Sequence, residues 1–524
     1  MTGPHTLEAL MDALPHLYPG PGGAAAVLRD GNVLERRAWG FANAERRIPF
    51  TPASLFRMCS ITKQFACAAM LDLFPDPTVL DGDVAGRLPL LEGAAPGMVH
   101  LAHNQSGLRD YWAVAMLHGS PVEAPFGDAE ARAVIGATRT LQFAPGTRYS
   151  YVNQNFRLMS DILEARTGRG FGELLRDRVF GPAGMGSALV AADTRAMPDG
   201  TEGYEGSVGA GFRAAENRIV WTGDAGLGAS LDDMIAWERF IDTTRGDAGG
   251  LYWRLTAPVA FADGGPAQYG FGLGRRTERR RMVVGHGGAL RGWRSHRLYV
   301  PGARVSVVVM FNHMADAAGA ASRLLAAAMG DEAPALPDPA AMPAWLGAYR
   351  EAETGLSVRV EAAAGRVRLR YGIVPEVLAV QGDGSAGTGD GTRLVPEEAG
   401  LRLERPGENL SSVLVPAASG TAGLDVAGRY RCGELDASLT VEDAGGVLYG
   451  GFSGFLGLGR MEMLTEVAAD VWALPCPRAL DHTPPGDWTL AFEREDGRVV
   501  RAVVGCWLAR GLRYERVGGA TARA

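Results

Sequence analysis

Residues 60–70 read SITKQFACAAM, and they contain Lys63, the only lysine of the 524-residue chain. The lysine and arginine residues number 52 in total, so all the others are arginines. An arginine could serve any surface role at position 63. However, a guanidinium stays protonated and cannot act as a neutral amine. The single lysine therefore directs attention to the position where it stands.

Ser60 and Lys63 form an S-x-x-K pattern at the start of a helix predicted over residues 60–73. Residues three apart on a helix share a face, so the hydroxyl and the amine can meet. A serine hydroxyl is a weak nucleophile until a base takes its proton, and a desolvated lysine is a suitable base. The apolar residues 65–70 would bury the helix and desolvate Lys63. The alternative is an N-cap serine followed by a solvated lysine.

Two further segments carry candidate catalytic groups. Tyr151 and Asn153 follow a Pro-Gly turn, where a phenol could shuttle a proton and an amide could hold the substrate or Lys63. His286 stands before Gly287 and Gly288, beside predicted strands, where it would supply a hydrogen bond or a positive charge. Taken singly, each segment is better explained as structural, the first as an ordinary loop tyrosine and the second as a solvated turn histidine.

The first 330 residues alternate strand-like and helix-like stretches. Residues 24–28 and 33–40 flank an Asp-Gly-Asn turn and predict a β-hairpin. Further strands are predicted at 283–284, 293–300 and 305–312, followed by an alanine-rich helix over 315–329. Strands at both ends with helices between them predict an α+β domain with an antiparallel sheet.

The remainder of the chain contains an internal repeat. Gly347 and Tyr349 recur as Gly428 and Tyr430, and the later match of residues 401–405 to 490–494 has a longer offset. We predict two small antiparallel β-barrel domains, the second with a Pro-rich insertion. The predicted division is 1–330 for the α+β domain, 331–345 for a linker, 346–417 for the first barrel and 418–524 for the second.

Composition excludes several classes of function. The net charge of −7 gives no basic surface for nucleic acid, and no apolar run is long enough to span a membrane. The five cysteines are odd in number and lack C-x-x-C spacing, so neither a disulfide framework nor a zinc knuckle is expected. The N-terminus lacks the pattern of a secretory signal, and a cytoplasmic location is predicted. No metal or cofactor is implied.

The order S-x-x-K, then Tyr-x-Asn, then a basic residue before glycine resembles the serine β-lactamase and penicillin-binding family. Tyr151-x-Asn153 stands where many members have Ser-Asp-Asn, and His286-Gly-Gly replaces Lys-Thr-Gly. The stretch 101–110, LAHNQSGLRD, is similar to another turn of the family. The resemblance covers residues 10–330. It implies a β-lactamase-like fold in which Ser60 forms an acyl-enzyme.

The whole chain resembles the D-aminopeptidases of this family, which pair the catalytic domain with two β-barrels. In them a loop of the last barrel enters the active site, and here the insertion from Pro477 to Asp487 matches it. An aminopeptidase needs a carboxylate for the substrate's ammonium group. Asp481 lies mid-loop and is preferred to Asp487. The alternative is that Asp481 merely solvates an exposed turn.

The resemblance implies a serine aminopeptidase that releases N-terminal D-residues, D-alanine above all, from D-amino-acid amides, esters and short peptides. Lys63 would act as base with Tyr151 sharing the proton, and which accepts it first is left open. Backbone N–H groups of Ser60 and Ala289 would bind the oxyanion. The resemblance also implies that β-lactam compounds are inhibitors. A homodimer is the expected assembly.

Two alternatives remain at this point. The first is a D-alanyl-D-alanine carboxypeptidase, a β-lactamase or an esterase, which would share Ser60 but not the requirement for a free amino terminus. The second is a ligand-binding or sensing protein that keeps the pocket without turnover. The presence of both Ser60 and Lys63 argues against the second.

Overall fold

Three bodies of secondary structure follow one another along the chain. A computed structural model describes residues 6–121, 123–331, 342–372, 374–418, 423–476 and 486–518. We call the three bodies the N-terminal domain (up to residue 331), the closed barrel (347–416) and the C-terminal sheet (428–516). The boundaries between domains given above stay predictions.

The α-helices of the described residues all lie in the N-terminal domain. None of them is both long and apolar enough to cross a membrane. They are α1 (Leu7–Leu17), α2 (Thr62–Leu73), α3 (Asp81–Gly86), α4 (Met98–Ala102), α5 (Tyr111–Leu117), α6 (Asp128–Gly136), α7 (Gln154–Thr167), α8 (Phe171–Leu175), α9 (Gly181–Ala183), α10 (Leu231–Thr244), α11 (Leu251–Leu255) and α12 (Ala317–Ala328).

An antiparallel sheet organises this domain, in the strand order β11-β12-β13-β14-β15-β1-β2-β3. The strands of the domain are β1 (Gly22–Arg29), β2 (Asn32–Asn43), β3 (Ile48–Pro49), β4 (Phe56–Arg57), β5 (Leu189–Val190), β6 (Tyr204–Ser207), β7 (Gly211–Ala214), β8 (Leu227–Ala229), β9 (Val259–Ala260), β10 (Pro266–Ala267), β11 (Tyr269–Gly270), β12 (Leu273–Glu278), β13 (Arg281–Leu290), β14 (Trp293–Val300) and β15 (Val305–Phe311). The expected hairpin is β1–β2, and the chain returns from residue 269 onward to complete the sheet beside β1.

A hydrophobic core covers each face of this sheet, as the apolar residues on both sides of β1 show. Ala25 and Val27 pack with α1 and α12 on one face, while Ala24 and Ala26 belong to the larger core on the other. Successive side chains of a strand point to opposite faces, which places two cores against one sheet. The larger core contains α2, so the helix that carries Lys63 is buried along its length.

The second half of the chain is all β, as the repeat predicts. The strands of the closed barrel are β16 (Gly347–Glu351), β17 (Ser357–Ala363), β18 (Arg366–Arg370), β19 (Glu376–Val380), β20 (Ala386–Gly387), β21 (Arg393–Glu397), β22 (Gly400–Arg405) and β23 (Leu410–Pro416). The strands of the C-terminal sheet are β24 (Gly428–Cys432), β25 (Ala437–Asp443), β26 (Leu448–Gly454), β27 (Gly457–Leu458), β28 (Glu462–Met463), β29 (Thr465–Ala468), β30 (Val471–Leu474), β31 (Trp488–Glu495), β32 (Arg498–Cys506) and β33 (Ala509–Arg516).

The predicted architecture is confirmed: an α+β domain with an antiparallel sheet is followed by two antiparallel β bodies. The two copies of the repeat also share a local contact. The Tyr349 hydroxyl donates to the Trp345 carbonyl, and the Tyr430 hydroxyl donates to the Val426 carbonyl. Only the first copy closes into a barrel within the described residues. The second has ten strands in the open order β27-β26-β25-β24-β33-β32-β31-β30-β29, with β28 paired to β26.

An ion pair without solvent exposure fastens α10 to the sheet. Arg297 on β14 donates two hydrogen bonds of 2.7 Å to Glu238 on α10, and both side chains are 0% exposed. Two parallel bonds satisfy both charges in a setting where neither could be hydrated. The pair therefore fixes the position of the strand that lies beside β13.

We expect Glu238→Ala to lower the free energy of unfolding by about 3–5 kcal/mol, because it leaves the Arg297 guanidinium buried without a counter-charge. Urea denaturation monitored by circular dichroism measures the change. Asp232→Ala is the control on the same helix, since its ion pair with Arg36 is about half exposed and its loss costs less than about 1 kcal/mol. Equal effects of the two substitutions would contradict this expectation.

Candidate active site

Ser60 and Lys63 are brought together at the start of α2. Ser60 lies in a 3₁₀ turn, Cys59–Ile61, that runs directly into the helix. Lys63 is 0% exposed, and its Nζ lies 3.0 Å from Ser60 Oγ. The meeting of hydroxyl and amine is the one that the S-x-x-K spacing predicts, although the first residues form a tighter turn than the α-helix expected there.

The atoms within hydrogen-bond distance of the lysine include three oxygens. Lys63 Nζ is 2.9 Å from Asn153 Oδ1, 2.8 Å from the Asp224 carbonyl oxygen and 3.0 Å from Ser60 Oγ. The first two can only accept hydrogen bonds, whereas a hydroxyl can donate or accept. A neutral amine would satisfy both acceptors with its two N–H groups. Its lone pair would then face the Ser60 hydroxyl proton.

Asn153 is oriented by a buried carboxylate, Asp110. The backbone N–H and the side-chain Nδ2 of Asn153 donate to Asp110 Oδ2 at 2.6 and 3.0 Å. This leaves Asn153 Oδ1 facing Lys63. Burial raises the pKa of Asp110 to about 6, an effect opposed by the hydrogen bonds from Asn153 and from the Trp112 N–H. The carboxylate is therefore largely ionised at neutral pH.

Asp110 ends the stretch 101–110, in which no role was predicted for it. Its position before α5 was a readable signal, since it caps that helix by accepting from the Trp112 N–H at 3.0 Å. The contact with Asn153, 43 residues away, depends on tertiary structure.

Tyr151 and His286 belong to the surroundings of Lys63. Lys63 Nζ is 4.9 Å from the centre of the Tyr151 ring, and that ring lies 6.1 Å from the His286 ring. His286 Nε2 is 3.1 Å from the Tyr269 hydroxyl and Nδ1 is 2.5 Å from the Gly287 carbonyl. Desolvation, together with the charge of Lys63, lowers the pKa of His286 to about 3. The ring is therefore neutral, with Nδ1 donating to Gly287 and Nε2 accepting from Tyr269.

Strand β13 lies directly against the turn that carries Ser60. A Cβ atom on Gly288 would stand 2.2 Å from the Met58 carbonyl oxygen and 2.3 Å from Ser295 Oγ, so only glycine fits there. Ser295 Oγ donates to the same Met58 oxygen at 3.1 Å. The next residue, Ala289, lines the same cavity as Ser60. The two proposed oxyanion donors thus belong to one cavity.

This cavity has a volume of about 370 Å³ and is open to solvent. Three of the five predicted catalytic residues line it, together with the beginning of α12 and one residue of the C-terminal β body, while Lys63 and His286 are not part of its lining. Its lining is Ser60, Tyr151, Asn153, Gly287, Gly288, Ala289, Arg294, Ser295, His296, residues 314–318 and Leu508. The described residues contain no group of three or more His, Cys, Asp or Glu side chains arranged to hold a metal ion.

The substrate carboxylate predicted in the insertion is not placed by the structure. Asp481 and most of the loop from Pro477 to Asp487 lie outside the described residues. Asp487 is described, and it forms an ion pair with Arg359 of the closed barrel. Sequence reasoning missed another carboxylate, Asp316, which lines the cavity and caps α12 by accepting from the Gly319 N–H at 2.9 Å.

Comparisons with known proteins match both halves of the chain. Residues 7–330 match the β-lactamase family, and residues 339–515 match the family described as D-aminopeptidase, domain B. The chain is 63% identical over 522 residues to a D-aminopeptidase of Gluconobacter oxydans, covering 98% of each protein. It is 45% identical over 515 residues to a D-aminopeptidase of Brucella canis, covering 98% of this chain and 99% of the relative.

Two solved structures share the fold at low sequence identity. The octameric penicillin-binding protein homologue from Pyrococcus abyssi matches with a TM-score of 0.51 at 19% identity, covering 85% of this chain and 98% of that chain. SurE matches with a TM-score of 0.52 at 20% identity, covering 78% of this chain and 98% of that chain. These likenesses concern the fold alone.

Proposed function

Since this chain belongs to the D-aminopeptidases of the β-lactamase family, we propose that it is a serine aminopeptidase that releases N-terminal D-amino acids, D-alanine above all. Its substrates are D-amino-acid amides, esters and short peptides. The observation that carries the proposal is the setting of Lys63, held between two obligate acceptors and the Ser60 hydroxyl. Such an amine is equipped to remove the hydroxyl proton.

The reaction begins when Ser60 Oγ attacks the carbonyl carbon of the substrate while its proton passes to Lys63, with Tyr151 sharing the proton. The oxyanion that forms accepts hydrogen bonds from the backbone N–H groups of Ser60 and Ala289. The C–N bond then breaks, and the departing amine receives the proton. Water attacks the resulting acyl-enzyme by the same route, releasing the D-amino acid and restoring Ser60.

Asn153 and His286 position these groups in the proposed mechanism. Asn153 binds Lys63 and is itself oriented by Asp110. His286 is neutral, so it supports Tyr269 and the glycine strand through hydrogen bonds and brings no charge to the substrate. In this proposal Ser60 and Lys63 carry out the chemistry, and the surrounding polar groups hold their side chains in position.

The rate of p-nitroaniline release from D-Ala-, L-Ala- and N-acetyl-D-Ala-p-nitroanilide tests the function. We expect the first substrate to be cleaved much faster than the other two. Rapid cleavage of the N-acetyl compound would instead favour a carboxypeptidase-like or esterase activity of the same family. A stable adduct on Ser60 without turnover would favour a binding or sensing protein.

The substrate's ammonium group provides a second test, which compares Asp481 with Asp316. Asp481→Asn should mainly raise KM for D-Ala-p-nitroanilide, because it removes a charge-assisted contact worth roughly 1.5–3 kcal/mol, and should scarcely affect the N-acetyl substrate. Deleting Pro477 to Asp487 should in addition admit N-blocked substrates. Asp316→Asn serves as the matched variant, since asparagine still caps α12.

The decision between Asp481 and Asp316 comes from kcat/KM for the free-amine substrate divided by kcat/KM for the N-acetyl substrate. A ratio lowered in Asp481→Asn but kept in Asp316→Asn supports the loop. The opposite pattern would transfer the role to Asp316. An unchanged ratio in both Asp481→Asn and the deletion would show that the loop has no part in recognition. Inhibition by β-lactam compounds, a homodimer and a cytoplasmic location stay proposals of the same kind.

A further inference from the structure

One wall of the catalytic cavity comes from the far end of the chain. The turn between β32 and β33, which we call the hairpin tip, consists of Trp507 and Leu508. The tip projects from the C-terminal sheet toward the N-terminal domain. Leu508 is 4% exposed and lines the cavity together with Ser60 and Asn153.

The N-terminal domain holds the backbone of the hairpin tip. The Asp110 N–H donates to the Leu508 carbonyl at 3.0 Å, and Arg109 Nε donates to the Arg510 carbonyl at 3.0 Å. Asp110 is also the carboxylate that orients Asn153. One residue therefore binds both the hairpin tip and the amide that contacts Lys63.

The closed barrel holds the side chain next to Leu508. Trp507 Nε1 donates to Glu408 Oε1 at 3.1 Å, and Arg405 Nε donates to the same oxygen at 2.6 Å. The Glu408 carbonyl accepts from the N–H of Tyr149, in the N-terminal domain, at 3.2 Å. Glu408 is buried at this junction of all three bodies. The tip is thus fixed from two sides, which presents Leu508 to the cavity as a rigid surface.

We infer that Leu508 is a specificity-determining residue, whose isobutyl side chain limits the size of the substrate group that fits beside Ser60. The inference rests on the proposed acyl-enzyme function, and it assigns part of the substrate selection to Leu508. A rigid apolar wall discriminates by roughly 10–200-fold for each methylene that does not fit. Leu508 acts through its side chain, whereas its carbonyl serves the bond to Asp110, so substitutions leave that bond available.

A role in packing alone makes a different prediction. If Leu508 only held the hairpin tip in place, its truncation would reduce the rates for small and large substrates by the same factor. If it is a wall, truncation and enlargement must change the preference for large substrates in opposite directions. Opposite changes cannot result from a general loss of stability.

The experiment measures kcat/KM of the full chain and of Leu508→Ala and Leu508→Phe. Two pairs of substrates are used: D-Ala- and D-Phe-p-nitroanilide, and p-nitrophenyl acetate and phenylacetate. We expect the large-to-small ratio to rise at least about tenfold in Leu508→Ala and to fall in Leu508→Phe. Val517→Ala is the control, because Val517 directly follows β33 at the far end of the same hairpin and is exposed.

Thermal melting of each variant shows that the compared proteins are folded. A ratio that stays within about twofold of the starting protein in both variants and both pairs overturns the inference. The activated esters acylate a reactive serine without recognition of a D-residue. If the starting protein cleaves the esters but neither anilide, the proposed function fails, and the ester ratio still decides the role of Leu508.

Discussion

Ser60→Ala is expected to lower kcat by roughly 10⁶-fold and to abolish the acyl-enzyme, as loss of the nucleophile does in other serine hydrolases. The fold should persist, because the larger core is made of the apolar side chains around α2 and the change removes a single oxygen atom. Mass spectrometry of the protein incubated with p-nitrophenyl acetate detects the adduct. The initial rate with D-Ala-p-nitroanilide gives kcat.

Cys59 is the neighbouring nucleophile against which this assignment must be tested. Its Sγ lies 3.2 Å from the Arg57 carbonyl oxygen and the residue is 0% exposed, so it should not take over from Ser60. Cys59→Ala is therefore the matched control and should keep its adduct. A normal adduct on Ser60→Ala that disappears in the double variant would assign the chemistry to Cys59.

Lys63→Arg is expected to reduce kcat by about 10²–10⁴-fold, the usual contribution of a general base. Arginine keeps the positive charge but cannot give it up at any pH at which the protein is folded. Its larger head group must also fit among three oxygens that now lie 2.8–3.0 Å from the lysine nitrogen. Steady-state kinetics with D-Ala-p-nitroanilide measures the loss.

Chemical rescue separates the base from a structural cation. In Lys63→Ala, added methylamine can occupy the vacated space and accept a proton, whereas guanidine supplies a permanent charge of the same sign. We expect methylamine to restore part of kcat and guanidine to restore none. Near-native turnover in Lys63→Arg, or equal rescue by both compounds, would assign Lys63 a structural role.

Local patterns predicted the parts of the site that lie close together in the chain. The three-residue spacing of Ser60 and Lys63 is a property of helical geometry, and the hairpin of β1 and β2 follows from its turn residues. The repeated tyrosines Tyr349 and Tyr430 likewise indicated the two all-β bodies before any contact was known.

The remaining features depend on contacts between distant residues. Arg109 reaches Arg510 across 401 positions, and Leu508 enters the cavity through a hairpin whose own sequence looks like any apolar turn. Such contacts depend on how the three bodies pack against one another. A single sequence carries no periodic pattern that indicates this packing. Asn153 was predicted as a site residue, but its contact with Asp110 was not.

The hairpin tip also sets an order of events during protein synthesis. The residues of the cavity up to position 318 are made first, and Leu508 emerges about 190 residues later. At a translation rate of roughly 5–20 residues per second, the nascent N-terminal domain spends roughly 10–40 s without that wall. A cavity that folded during this interval would lack the side chain that we infer to limit the size of the acyl group. If Leu508 is the wall inferred above, selectivity for the size of the substrate group is acquired only when the C-terminal sheet docks.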